Sequence, residues 1–176
     1  MQIDPQLLPR IAPIKLLVMD VDGVLTDGTL SFLADGTEVK TFSILDGLGL
    51  KLLMRSGVET AIITGRKSPQ VELRAESLGI NYIQQGREDK LTALRELWAR
   101  TGYSADNTAY IGDDLPDLSA IKACAFGATV PNGYWLVKQE ADWVSQTEGG
   151  RGAVRELCDL IMRAQGTLDS ALEDYQ

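Results

Sequence analysis

The stretch Leu16-Leu17-Val18-Met19, followed by Asp20-Val21-Asp22-Gly23, limits this chain more than any other. An unbroken apolar run bounded by turn formers reads as a strand buried on both faces, which is the mark of a parallel sheet. The run ends in two carboxylates, and the carboxyl ends of strands in open α/β sheets are where ligands bind. Side chains at i and i+2 share a face, so Asp20 and Asp22 can address one site from the strand end or from a loop curling round it. Gly23 lets the backbone bend there and approach a ligand closely. A bare Asp-x-Asp is more often a pair of solvated loop acids. This pair follows a buried strand and has matching segments downstream.

The strand-then-turn pattern recurs. Val58 to Ile63, Ile80 to Ile83, Thr108 to Ile111, Phe126 to Val130 and Trp143-Val144 are further runs of strand length. Helical spacing fills the gaps. One helix is expected from Asp46, as its cap, through Leu48, Leu50, Leu52, Leu53 and Met54 to Gly57. Another runs from Ser68 to Gly79 with Pro69 at its first position, and another from Glu88 to Arg100. Later helices start near Pro116, cover roughly 133–139, and run from about Gly152 to Gln165. This alternation predicts an α/β, Rossmann-like doubly wound parallel sheet with helices on both faces, in one domain over 1–176. Residues 29–43 interrupt it. Thr29 to Leu33 and Glu38 to Ser43 flank Asp35-Gly36, the signal of an inserted hairpin. Two strands alone are marginal, so the insert needs a surface to rest on, its own domain's or that of another subunit. Residues 1–13 are expected as a proline-punctuated lead-in and 166–176 as a polar tail.

Composition then excludes whole classes of function. The 176 residues contain no histidine, which removes His-based triads, His metal sites and phosphohistidine chemistry. No apolar run reaches membrane-spanning length, and the first residues lack a signal peptide's apolar stretch, so a soluble cytoplasmic protein is expected. Cys124 and Cys158 lie in apolar helical surroundings without CxxC spacing and are expected as buried free thiols. The net charge of −8 argues against nucleic acid as a partner. It also means that an anionic substrate needs local cations or a metal.

Asp20-Val21-Asp22-Gly23, Thr64-Gly65-Arg66, Lys90 and Gly112-Asp113-Asp114-Leu115-Pro116-Asp117 follow successive strands. Singly each is weak. In this order they resemble the haloacid dehalogenase superfamily of phosphatases. Phosphoryl transfer needs a nucleophile, charge neutralisation and a proton donor for the leaving oxygen. Asp20 is the expected nucleophile, forming an aspartyl phosphate. Asp22 is expected to protonate the leaving oxygen and then to take a proton from water. Adjacent anions facing a phosphate require a cation, and hard oxygen ligands favour Mg²⁺. The resemblance implies that Asp20, the backbone carbonyl of Asp22, and Asp113 hold it. Thr64 and Lys90 are expected at the transferring oxygens, and backbone N–H groups around 21–23 with them. Asp114 and Asp117 have a structural alternative, as a helix cap and a first-turn acid. An aspartate two residues after the nucleophile marks phosphotransfer within the superfamily, which argues against dehalogenation.

The likeness extends to Asp20–Gly28 (DVDGVLTDG), Asp46–Gly49 (DGLG), Ala61–Lys67 (AIITGRK) and Gly149–Glu156 (GGRGAVRE). Together these resemble the 3-deoxy-D-manno-octulosonate 8-phosphate phosphatase family, which has no separate cap domain. The resemblance implies a phosphorylated eight-carbon sugar acid as substrate, from lipopolysaccharide precursor synthesis. It also implies a homotetramer in which one subunit's hairpin closes a neighbour's site. The implied substrate site comprises Asp22, Ser43, Ile44, Leu45, Asp46, Gly47, Lys51, Arg66, Arg74 and Lys90. Arg66 suits a carboxylate through its planar fork. Helix capping competes as the role of Asp46, and a solvated helix face as that of Lys51 and Arg74. Arg151 either serves a neighbouring site or caps a turn. The chain departs from the family at Leu45, where a basic residue is usual, and at Tyr134-Trp135, where many relatives have histidine-proline. Two other readings stand beside this one: a phosphatase of a nine-carbon sialic or ketodeoxynonulosonate-type sugar phosphate, and a catalytically silent sugar-acid-binding subunit. The complete Asp20, Asp22, Thr64, Lys90, Asp113 set counts against the last.

Overall fold

The structure, a computed structural model, describes residues 4–175. At its centre lies β1 (Leu16–Met19), with every side chain buried. Strand alternation divides the four: Leu17 and Met19 join one apolar cluster, Leu16 and Val18 another on the opposite face. β4 (Glu59–Thr64) and β6 (Thr108–Ile111) flank β1 in parallel, with Met19 opposite both Ile62 and Ile111. β5 (Tyr82–Gln85) lies outside β4, and β7 (Phe126–Thr129) and β8 (Trp143–Val144) lie beyond β6. The six strands run in the order β5-β4-β1-β6-β7-β8, with every pair parallel. Helices α2 (Ile44–Arg55), α3 (Pro69–Leu78) and α7 (Ala153–Ala164) cover the Leu17 face. Helices α4 (Lys90–Thr101), α5 (Leu115–Ala123) and α6 (Trp135–Glu140) cover the other. This is the doubly wound sheet that the alternation predicts. The chain winds outward from β1 to β5 and then returns to β6, so the topological switch falls between β1 and β6, the strands that precede Asp20 and Asp113.

Several local expectations need correction. Helix α2 is capped by Ser43, whose Oγ accepts the Leu45 N–H at 3.2 Å; Asp46 lies within the first turn. Asp46 caps a different helix. Its Oδ1 accepts the Arg155 N–H at 2.8 Å, in the first turn of α7, whose own cap, Gly152, has no side chain to offer. β5 is displaced from 80–83 to 82–85 because Gly79, left-handed at φ +81°, closes α3 and the Ile80 N–H turns back to Ala75. Gln84 and Gln85 then serve an edge strand, Gln84 donating to the Ala93 carbonyl and Gln85 accepting the Ser68 N–H. The expected polar tail contains helix α8 (Leu168–Leu172), with Leu168 buried and Ala171 and Leu172 packed on the same cluster. The lead-in holds one helical turn, α1 (Leu8–Ile11). Cys124 and Cys158 are free and buried.

The insert forms a separate two-stranded antiparallel sheet, β2 (Ser31–Phe32) with β3 (Glu38–Val39), shorter than the runs suggest. Its turn has Gly36 at φ +85°. Leu30, Phe32, Leu33 and Val39 are all exposed, whereas Glu38 and Lys40 are partly buried. The hairpin therefore faces Glu38 and Lys40 toward the domain and its apolar side chains outward.

Candidate active site

Asp20 is the first residue beyond β1. Its N–H still donates to the Ile111 carbonyl at 3.0 Å, so the sheet ladder holds it beside β6. Burial, reinforced by Asp117, pushes its carboxyl pKa up to about 7 against the pull of Lys90. Lys90, at the start of α4, is only 3% exposed. Its Nζ lies 2.8 Å from Asp20 Oδ2 and 2.6 Å from Asp117 Oδ1. Burial opposes the ammonium charge, but Asp117 and Asp20 together hold its pKa above the ordinary value. Thr64 ends β4 beside Asp20, also buried.

Asp113 follows β6. Burial, then Asp20 and Asp117, push its carboxyl up to about 7. Asp114 caps α5, its Oδ1 accepting the Leu115 N–H at 2.8 Å. Asp117 completes the capping box, and its Oδ2 accepts the N–H groups of Asp113 and Asp114 at 3.2 and 3.3 Å. Its Oδ1 takes the Tyr110 hydroxyl at 2.9 Å together with Lys90. Asp117 thus shapes the Asp113 loop and holds the lysine in place. The helix-end role expected for both acids is present, and the lysine contact adds to it.

Asp20, Asp113 and Asp117 offer carboxylate oxygens that lie within 4.8 Å of one another. Asp117 has both oxygens engaged, whereas Asp20 Oδ1 is buried without a hydrogen-bond partner. Two carboxyls driven toward neutrality, one of them with a bare buried oxygen, fit a hard divalent cation. The backbone is built around the same point. Gly23, at φ +88°, passes so close to Asp113 that a Cβ there would overlap its carboxylate. Gly149 in turn lies against Gly23, where a Cβ would overlap the Gly23 carbonyl oxygen. The Gly149 N–H donates to Asn132 Oδ1 at 2.9 Å, and Asn132 Nδ2 donates to the Gly23 carbonyl at 3.3 Å. The Gly-Gly-Arg-Gly segment is therefore a close-packed buttress for the Asp20 loop. Arg151 extends outward, 3.8 Å from Asp27.

A cleft of about 320 Å³ opens over these groups, with Asp20, Asp22, Thr64, Arg66, Lys90 and Asp113 all in its wall. Glu88, Asp114 and Asp117 line it as well. The structure thus gathers the whole set picked out at the strand ends. It does not gather the α2 group. Ser43, Asp46, Gly47 and Arg74 line a separate slot of about 10 Å³, room for a single water. Arg74 donates to the Ser43 carbonyl at 3.0 Å and stacks 5.9 Å from the centre of the Phe42 ring. Ile44, Gly47, Lys51 and Arg74 border a shallow outer groove, and Leu45 is exposed. Within one chain these residues stand apart from the cleft over Asp20. Two residues that the motifs did not point to, Glu38 and Lys40 of the hairpin, lie behind the cleft wall and contact it. Lys40 Nζ is ion-paired with Asp22 and lies 3.1 Å from Glu38, whose Oε2 accepts Arg66 Nη2 at 2.8 Å. Their signal is a strand read in reverse, Glu-Val-Lys with the valine outward.

Comparison with known proteins bears on what this arrangement does. Residues 83–157 match the haloacid dehalogenase-like hydrolase family model. The 3-deoxy-D-manno-octulosonate 8-phosphate phosphatase KdsC of Salmonella typhimurium is 41% identical over 169 residues, 96% of this chain and 90% of that protein. The chain belongs to this phosphatase family. KdsC of Escherichia coli K12 is 44% identical, covering 90% of this chain and 84% of its own length. The crystal structure of the Moraxella catarrhalis phosphatase, in complex with a magnesium ion, a phosphate ion and KDO, superimposes with a TM-score of 0.95 at 47% identity, covering 97% and 98% of the two chains. The cobalt-bound enzyme of Haemophilus influenzae gives a TM-score of 0.89 at 42% identity, covering 94% and 95%. Family membership makes the chain a phosphoric monoester hydrolase. Among the described residues, no helix is long and apolar enough to cross a membrane.

Proposed function

We propose that the protein hydrolyses 3-deoxy-D-manno-octulosonate 8-phosphate to the free sugar acid and phosphate, with Mg²⁺ as cofactor. The observation that carries the reading is the convergence of Asp20, Asp113 and Lys90 at the switch point, with Asp20 Oδ1 left bare. The phosphatase activity named for the relatives and the magnesium, phosphate and KDO bound in the Moraxella structure support the substrate and the ion.

Asp20 attacks the phosphorus, and the bond from phosphorus to the sugar oxygen breaks. Asp22 protonates that oxygen as it leaves. Water then attacks the aspartyl phosphate, Asp22 takes its proton, and phosphate departs with Asp20 restored. Asp20, the Asp22 carbonyl and Asp113 would hold the ion, which when bound offsets the charge on the phosphate and on the carboxylates. Lys90 and the Thr64 hydroxyl contribute fixed polarity at the transferring oxygens. Lys90 is held ready by two carboxylates, so it needs no reorganisation when substrate arrives. Arg66 takes the sugar carboxylate, a role supported by its place in the cleft wall and its 44% exposed side chain.

The α2 group complements this cleft only from another copy of the chain. Exposed Ile44 and Leu45 together with the outward apolar face of the hairpin supply a surface for such a copy, in line with a homotetramer. The buried free thiols accord with action in the cytoplasm. Turnover of phosphorylated eight- and nine-carbon sugar acids, with and without Mg²⁺, tests the reading. A higher kcat/KM on the eight-carbon compound, lost with chelator, is expected. A preference for the nine-carbon compound overturns the substrate, and Mg²⁺-independent turnover overturns the cofactor.

A further inference from the structure

Four alternating charges connect the hairpin to the cleft. Lys40 is ion-paired with Asp22 and with Glu38; Glu38 is bonded to Arg66; and Arg66 Nε comes back to 3.9 Å from Asp22 Oδ2. The Lys40 and Glu38 side chains are only 3% and 16% exposed, whereas that of Arg66 remains 44% exposed. With Asp22 ionised, two cations and two anions close the ring without net charge. β3 is itself anchored, since the Glu38 carbonyl accepts Gln70 Nε2 at 2.9 Å.

An arginine free in a cleft samples many rotamers, and binding a carboxylate to a planar fork requires one orientation. Glu38 takes Nη2 and Asp22 lies near Nε, which fixes the plane of the guanidinium. The remaining N–H groups stay available on its exposed side. We infer that Glu38, held by Lys40, is a positioning residue that sets Arg66 for the carboxylate of the substrate and thereby selects sugar acid phosphates over phosphomonoesters lacking a carboxylate. This rests on the substrate class proposed above.

The test compares kcat and KM of the wild type and Glu38→Gln on 3-deoxy-D-manno-octulosonate 8-phosphate and on p-nitrophenyl phosphate, which has no carboxylate. The expected result is a KM for the sugar acid raised ~5–10-fold with kcat within about twofold, while kcat/KM for the aryl phosphate changes by less than about threefold. In an Arg66→Met background, Glu38→Gln is expected to have no further effect on that KM, because the coupled residue is already gone. An unchanged KM, an equal loss on both substrates, or an effect that persists without Arg66 overturns the inference. A wild type that shows no preference for the sugar acid instead overturns the substrate reading beneath it.

Discussion

The sheet end around Asp20 and the hairpin at 29–43 meet at one cleft but are built on opposite plans. At the sheet end, apolar side chains point inward and the strand ladder carries the carboxylates to a fixed place. Lys90 and Asp20 are buried there at considerable desolvation cost, which the surrounding core sustains. In the hairpin Glu38 and Lys40 face inward and the apolar residues outward, and the backbone pairing is only two residues long. Such an element has no core of its own and is ordered by ion pairs to the cleft and by whatever covers its apolar face. On the function proposed above, this amounts to a division of labour, with the chemistry assigned to the sheet end and the choice of substrate to the hairpin.

That contrast can be broken at its strongest point. Asp20→Asn should lower phosphate release from an aryl phosphate by more than about 10³-fold, since no other carboxylate occupies the attacking position. Activity persisting in this variant would remove the nucleophile. Next in size is Lys90→Met, which leaves Asp20 and Asp117 buried without their counter-ion. Urea unfolding should show a loss of about 3 kcal/mol, together with a large fall in kcat. A neutral outcome would mean that the sheet end does not depend on its buried charges.

A smaller effect distinguishes repulsion from support. Asp113 has its folded-state pKa raised to about 7 from an ordinary 3.8. A raised carboxyl contributes stability that is present below its unfolded pKa and lost as pH climbs through the folded value. The contribution of Asp113 to the stability of the metal-free protein should therefore fall between about pH 4 and pH 7. Asp113→Asn should raise the metal-free Tm at pH 8 by ~2–4 °C, a gain that vanishes toward pH 4, as read by differential scanning fluorimetry in chelator. Smallest is the expected effect of Phe32→Ser on the outer face of the hairpin, under about 0.5 kcal/mol on the unfolding of a chain on its own. Its signature is instead a shift to smaller species on size exclusion. An unchanged elution volume would break the idea that the outward face meets another copy.

The sheet was legible because its code is local. Leu16–Met19 and Ala109–Ile111 are uninterrupted apolar runs; the first ends directly at Asp20 and the second one glycine short of Asp113. Asp20, Asp22, Thr64, Lys90 and Asp113 could be placed near one another because parallel strands present their carboxyl ends on the same edge. The misread elements are those whose partner is distant. Asp46 looks like the cap of its own helix and caps α7, 109 residues further on. Asp117 looks like a first-turn acid, which it is, but its second oxygen belongs to Lys90 on another helix. Leu168, Ala171 and Leu172 looked like part of a polar tail because three apolar residues suffice for a short helix only where a core is waiting for them.

What the sequence determined by itself, then, is the winding of the sheet and the gathering of its acids, because strand and helix periods and turn chemistry act over a few residues. Tertiary structure alone decided that Gly149 had to be bare against Gly23, that Asp46 would face α7, and that Glu38 and Lys40 would turn toward Asp22 and Arg66. Those outcomes depend on close approach and on the balance of desolvation against charge pairing between segments far apart along the chain. A local pattern such as Glu38-Val39-Lys40 shows which side chains share a face, but not which distant partners they meet.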